Sequence, residues 1–141
     1  MTADEILELM RAEFPQVARM GLRIGDLTDD RITMVWPATE RQLRPGGTIS
    51  GPVMMTLADT AMYFLVLANV GPVPLAVTTS LHINFLRKPP PGDVVARGRL
   101  LKLGSRLAVG DVELFSSASD EIAAHATVTY SLPPEGVSTT V

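Results

Sequence analysis

With 141 residues, 46% of them apolar and 19% charged, the chain is sized and composed for one globular domain and not for a disordered segment. A net charge of −3 speaks against a nucleic-acid binder, and the absence of cysteine rules out disulfides, thiolate catalysis and cysteine-based zinc sites. The opening MTADEILELM is acidic where a secretory signal would be basic, so the expected compartment is the cytoplasm.

TADEILELMRAEF carries Ile6, Leu7, Met10 and Phe14 at helical spacing. This predicts an amphipathic helix that starts at Thr2 or Asp4 and ends before Pro15. GLRIGDLTDDRITMVWPAT reads as a hairpin turning at Asp29-Asp30, with Ile32, Met34 and Trp36 alternating against Thr33 and Val35. ERQLRPGGTI is a loop, because Pro45, Gly46 and Gly47 sustain neither a helix nor a central strand. A long helix is predicted next, capped by Ser50, with Gly51 and Pro52 in its first turn, and stopped by Gly71-Pro72. That stretch approaches the ~20 residues of a membrane span. It holds Asp59, however, and lacks a flanking basic cluster, so a core helix buried on most sides fits better.

Downstream the period becomes twofold. In AVTTSLHINFL, Val77, Thr79, Leu81, Ile83 and Phe85 are expected on one face, and Thr78, Ser80, His82 and Asn84 on the other. VVARGRLLKLG, RLAVGDVELFSS and EIAAHATVTYSL predict three more strands joined by short turns, hence antiparallel neighbours. The order is helix, two strands, long buried helix, four strands. It fits an α+β domain in which a six-stranded antiparallel sheet curls around one long helix. Residues 1–19 are expected to form a helical segment packed on the domain, residues 20–132 the domain itself, and residues 133–141 a flexible tail.

Few residues offer chemistry. His82 and His125 sit on the more polar faces of their strands without metal-ligand spacing, and read as solvent or subunit-interface histidines. GTISGP lacks the second glycine of a nucleophile elbow, and RPGGT is too short for a phosphate loop. Asp59 remains, the single charge in an apolar helix. It is either a carboxylate capped by hydroxyls such as Thr56 or Thr60, or a general base or nucleophile in a dry site. Ser50 and Asp59 are nine residues apart, ~13 Å along a helix. The free amides of the helix N-terminus and the Asp59 carboxylate therefore meet one reacting group only if two helices run antiparallel across a twofold dimer. An amide facing a carboxylate suits acyl transfer, one as oxyanion donor and the other as base or nucleophile.

The stretch RPGGTISGPVMMTLAD is similar to the Asn-x-x-Gly-x-x-His-Gly-Gly loop, four-residue spacer and Leu-Ala-Asp of the hotdog-fold acyl-CoA thioesterases, in particular the phenylacetic-acid-degradation group. Gly47, Gly51, Leu57, Ala58 and Asp59 fall in place, and the later NFLR and K-x-G-x-R patterns extend the likeness over about residues 20 to 132. The resemblance implies a hotdog fold and thioester hydrolysis without metal or redox cofactor. It also implies a site shared between subunits and dimers that commonly pair into tetramers. Asp59 would be base or nucleophile, the Gly51 N–H the donor polarising the thioester carbonyl, and Thr78 an assisting hydroxyl. Arg87, Lys88, Lys102 and Arg106 would lie near the coenzyme A phosphates.

Three positions depart from the family pattern. Ser50 replaces the histidine and still caps the helix, Pro52 replaces the second glycine, and Arg44 replaces the asparagine. A guanidinium at Arg44 would either pair with Asp59 or bind an anionic group of the substrate. Met54, Met55, Met62 and Phe64 suggest adaptable apolar surroundings along the helix. The expected activity is acyl-CoA thioester hydrolysis. The alternatives are a non-catalytic binder of acyl-CoA or a related ligand, and a hydratase. The hydratase is disfavoured because Phe64 stands where the Asp-x-x-x-x-His pairing needs histidine.

Overall fold

The computed structural model describes residues 1–37 and 48–134. Arg44 and Gly47 lie outside the described residues, as does most of the expected tail, residues 135–141. The elements are α1 (Ala3–Glu13), α2 (Pro15–Ala18), β1 (Arg23–Leu27), β2 (Arg31–Trp36), α3 (Gly51–Val70), β3 (Val77–Phe85), β4 (Val94–Leu103), β5 (Leu107–Ser116) and β6 (Ala124–Ser131).

α1 starts where the sequence predicts. Thr2 accepts from the Glu5 N–H, and the Glu5 carboxylate accepts from the Thr2 N–H in return, a reciprocal cap. The helix ends at Glu13, before Pro15, as the sequence predicts. Phe14 leaves the helical region (φ −135°, ψ 69°), as a residue preceding proline tends to, and Pro15 then opens the short helix α2. Ile6 and Met10 seat α1 in the core.

The strands form one antiparallel sheet in the order β1-β2-β4-β5-β6-β3. α3 lies on its inner face against β2, β3, β4, β5 and β6. Leu57, Phe64, Leu65 and Leu67 are fully buried there, each such side chain contributing about 1.5–3 kcal/mol. α3 is long and apolar enough to span a membrane by length and composition, and it is instead the core helix. Met62 packs so closely on β5 that a Cβ at Gly110 would come within 2.6 Å of its sulfur. Met54, Met62 and Phe64 therefore serve the core. All three are buried, Met55 is exposed, and none of the four lines the cavity described below.

The alternation expected for β3 is corrected by a bulge. Thr78 pairs with Tyr130, but Ser80 pairs with Thr129, so β3 carries one extra residue around Thr79. An inserted residue reverses the parity of the strand behind it. Thr78 therefore shares the inner face with Leu81 and Ile83 instead of opposing them. Among the described residues β3 is also an edge strand, hydrogen-bonded to β6 alone, and Val77 and Phe85 on it are 58% and 50% exposed.

Candidate active site

Asp59 sits half-way along α3, half-buried, opposite the β3 bulge and the end of β6. Thr78 Oγ1 donates to Asp59 Oδ1 at 2.6 Å, and the Tyr130 hydroxyl lies 2.9 Å from the same oxygen and 3.2 Å from the Asp59 carbonyl oxygen. Thr56 and Thr60 do not cap the carboxylate. Their hydroxyls donate back along the helix to the carbonyls of Pro52 and Thr56, as hydroxyl side chains inside helices often do. Among the described residues no donor meets Asp59 Oδ2. Burial, reinforced by the neighbouring Asp59 charge, raises the Tyr130 phenol well above its ordinary range, so Tyr130 stays protonated and acts as a donor.

Tyr130 is a site residue that the sequence did not reveal. The available signal was the twofold run Ala124, Ala126, Val128, Tyr130, which puts a phenol on the apolar inner face of the last strand, where its hydroxyl needs a partner. The identity of that partner depends on the β3–β6 pairing.

The carboxylate opens into a cavity of about 370 Å³ whose walls include Phe14, Val17, Tyr63, Ala76 and Tyr130. Tyr63 stacks on Tyr130 with ring centroids 5.8 Å apart, and Phe14 meets Tyr63 edge-on at 6.0 Å. Burial, with Glu13 adding to it, pushes the Tyr63 phenol up to about 12, and its hydroxyl lies 3.3 Å from the Pro74 carbonyl oxygen. Among the described residues, the lining apart from Asp59 carries no charged side chain.

The other end of α3 holds the second group. Ser50 Oγ accepts from the Val53 N–H and the Ser50 carbonyl from the Met54 N–H, both at 3.3 Å, and Pro52 has no N–H. Among the described residues the Gly51 N–H therefore has no acceptor. A Cβ on Gly51 would come 3.2 Å from Phe85 Cζ, so glycine lets the β3 phenylalanine close over the helix start.

The four expected cations divide between two ends of the sheet. Arg87 and Lys88 follow Phe85, near the Gly51 end, and Arg87 pairs with Glu121. Lys102 lies in the row of Val109, Thr129 and Ser80, and Arg106 donates to the Leu132 carbonyl, both near the Thr78 end. The rows of Phe85 and Ser80 are five residues apart on β3, about 17 Å.

Neither histidine approaches Asp59. His82 is exposed on the outer face of the sheet. His125 is not a simple solvent histidine, because its Nε2 lies 3.1 Å from Asp111 Oδ2. Arg99 also holds Asp111 through two 3.2 Å bonds, in a polar depression lined by Arg31, Arg97 and Glu113 as well.

An antiparallel sheet wrapped around one long helix, with a carboxylate at the helix middle, is the hotdog architecture. The thioesterase superfamily model matches residues 46–130, more than half of the chain, and the chain belongs to that superfamily. A protein of Silicibacter sp. TM1040, provisionally named a thioesterase, shares 48% identity at a TM-score of 0.81, covering 90% of this chain and 88% of that one. Haemophilus influenzae thioesterase HI1161 shares the fold at a TM-score of 0.82 with 21% identity, over 99% of this chain and 96% of that one. A Halobacterium salinarum protein, provisionally named an esterase, is 28% identical over 105 residues, 70% of this chain and 68% of that one.

Proposed function

We propose that the protein is an acyl-CoA thioesterase of the phenylacetic-acid-degradation group, with Asp59 as general base or nucleophile. The observation that carries this reading is the Asp59 carboxylate itself. One oxygen is held by Thr78 and Tyr130, and the other has no donor among the described residues, beside an apolar cavity in a chain of the thioesterase superfamily. In the general-base route Asp59 takes a proton from water as the water oxygen bonds to the thioester carbonyl carbon. The carbonyl oxygen gains negative charge, the C–S bond then breaks, and the coenzyme A sulfur leaves and takes up a proton. The Gly51 N–H is the donor for the oxyanion.

Gly51 and Asp59 are eight residues apart on α3, ~12 Å along the axis, so the two come from different subunits. The exposed apolar edge of β3 suits such pairing, since an uncovered edge strand is a template for another strand. A twofold that joins Gly51 of one subunit to Asp59 of the next also brings Arg87 and Lys88 of the first toward Lys102 and Arg106 of the second. That arrangement surrounds an anionic coenzyme with cations from both chains.

The test is thiol release from a panel of acyl-CoAs by the wild type and by Asp59→Asn. The substitution keeps the shape and removes the charge. Turnover is expected to fall by a factor on the order of 10² or more, with acyl-CoA binding retained. Equal rates for the two proteins would remove Asp59 from the mechanism. Binding without any hydrolysis by the wild type would show a non-catalytic acyl-CoA binder instead.

A further inference from the structure

The matched superfamily segment begins at residue 46, yet two walls of the cavity beside Asp59 come from residues that precede it. Phe14 and Val17 belong to the corner between α1 and α2, three residues apart, with the Val17 N–H donating to the Phe14 carbonyl at 2.9 Å. The corner is built rigidly. α1 is capped reciprocally at Thr2, Ile6 and Met10 have no exposed surface, and Pro15 fixes the break between the helices. From Phe14 the wall continues without interruption, edge-on to Tyr63 at 6.0 Å, stacked from Tyr63 to Tyr130 at 5.8 Å, and from the Tyr130 hydroxyl to Asp59 Oδ1 at 2.9 Å. A segment outside the superfamily core thus reaches the carboxylate through three aromatic rings.

We propose that Phe14 and Val17 form the far wall of the acyl pocket and set the size of the acyl group the enzyme accepts. The inference rests on the thioesterase reading of Asp59. Among the described residues the lining apart from Asp59 is uncharged, which suits an uncharged acyl group, because a carboxylate there would face Asp59. Its size follows from the space. An apolar cavity of about 150 Å³ holds one benzene ring. The 370 Å³ here also has to admit the thioester carbon next to Asp59. With Phe14 and Val17 on its far side, the proposed pocket takes a ring on a short linker or a medium-length chain in preference to a long fatty acyl chain.

The experiment uses the full chain and two variants that act in opposite directions. Phe14→Ala opens the far wall and Val17→Trp fills it. For each protein, kcat/KM is measured on butyryl-, octanoyl- and palmitoyl-CoA. Dissociation constants for the matching S-alkyl-CoA thioethers, which cannot be hydrolysed, are measured by calorimetry. The wild type is expected to prefer octanoyl to palmitoyl at least about tenfold. Phe14→Ala is expected to shift the palmitoyl-to-octanoyl ratio upward by about tenfold, and Val17→Trp to shift the octanoyl-to-butyryl ratio downward by a similar factor. Opposite shifts are not produced by a general loss of folding, which lowers all substrates together. Unchanged ratios in both variants, or a wild type that favours palmitoyl, would overturn the proposal while leaving thioesterase activity standing. The expected shifts in thioether affinity without turnover on any thioester would uphold the pocket and overturn the catalytic reading. Failure to bind any thioether would overturn both.

Discussion

A carboxylate on an apolar helix needs partners that hold it without neutralising it. Two hydroxyls do this for Asp59, Thr78 at 2.6 Å and Tyr130 at 2.9 Å, both on Oδ1. Both donors fix the orientation of the group, and in the proposed mechanism Oδ2 is left for chemistry. In the proposed mechanism Tyr130 is a positioning residue, because its hydroxyl donates to Asp59 and its raised phenol pKa keeps its proton in place. Tyr130→Phe keeps the ring stack on Tyr63 and removes only the hydroxyl. Stability is expected to drop by about 1 kcal/mol, and kcat to fall roughly tenfold with KM little changed. Urea unfolding and steady-state kinetics check this. A loss of stability with kcat unchanged would assign Tyr130 a structural role only.

Between strands, the outer face of the sheet carries its own polar ladder. Arg99 on β4, Asp111 on β5 and His125 on β6 form a continuous row of bonds. Burial alone would raise the Asp111 carboxyl, but the bonds from Arg99 and His125 outweigh it and hold the group below its usual range. A carboxyl with a lowered folded-state pKa contributes stability that is fully present above its unfolded value, about pH 4. That contribution is lost as pH falls through the folded value. Asp111→Asn is therefore expected to be less stable than the wild type by roughly 1 kcal/mol at neutral pH. The gap should narrow as both proteins are acidified below about pH 4. Urea titrations at neutral and acid pH read the difference, and a gap that widens in acid would contradict the assignment.

At the scale of the whole molecule, the proposed mechanism divides each chain into two half-sites. The amide donor lies at the start of α3 and the carboxylate in the middle, with the uncovered apolar edge of β3 alongside. Light scattering is expected to find at least a dimer, and specific activity should fall when the protein is diluted below its association range. A stable monomer with full activity would sink both the assembly and the shared site.

The sequence alone determined whatever is coded locally. A helix start at Thr2 or Asp4, Ser50 as a cap, Gly71-Pro72 as a stop, the apolar α3 and the twofold strands were all legible because each depends on neighbours a few residues away. Asp59 stood out for the same reason, as one charge inside an apolar run, and the Leu-Ala-Asp resemblance named Gly51 and Thr78 beside it. Only the tertiary structure decided what holds the carboxylate, since Thr78 is 19 residues from Asp59 and Tyr130 is 71. One inserted residue in β3 turned Thr78 inward against the simple alternation, and such a bulge exists only in the pairing of two strands. The aromatic wall likewise arises where α1 and α2 fold back onto α3. Periodicity reports which side of an element is buried, whereas a site is made by which buried sides meet, and that is settled by packing across the chain.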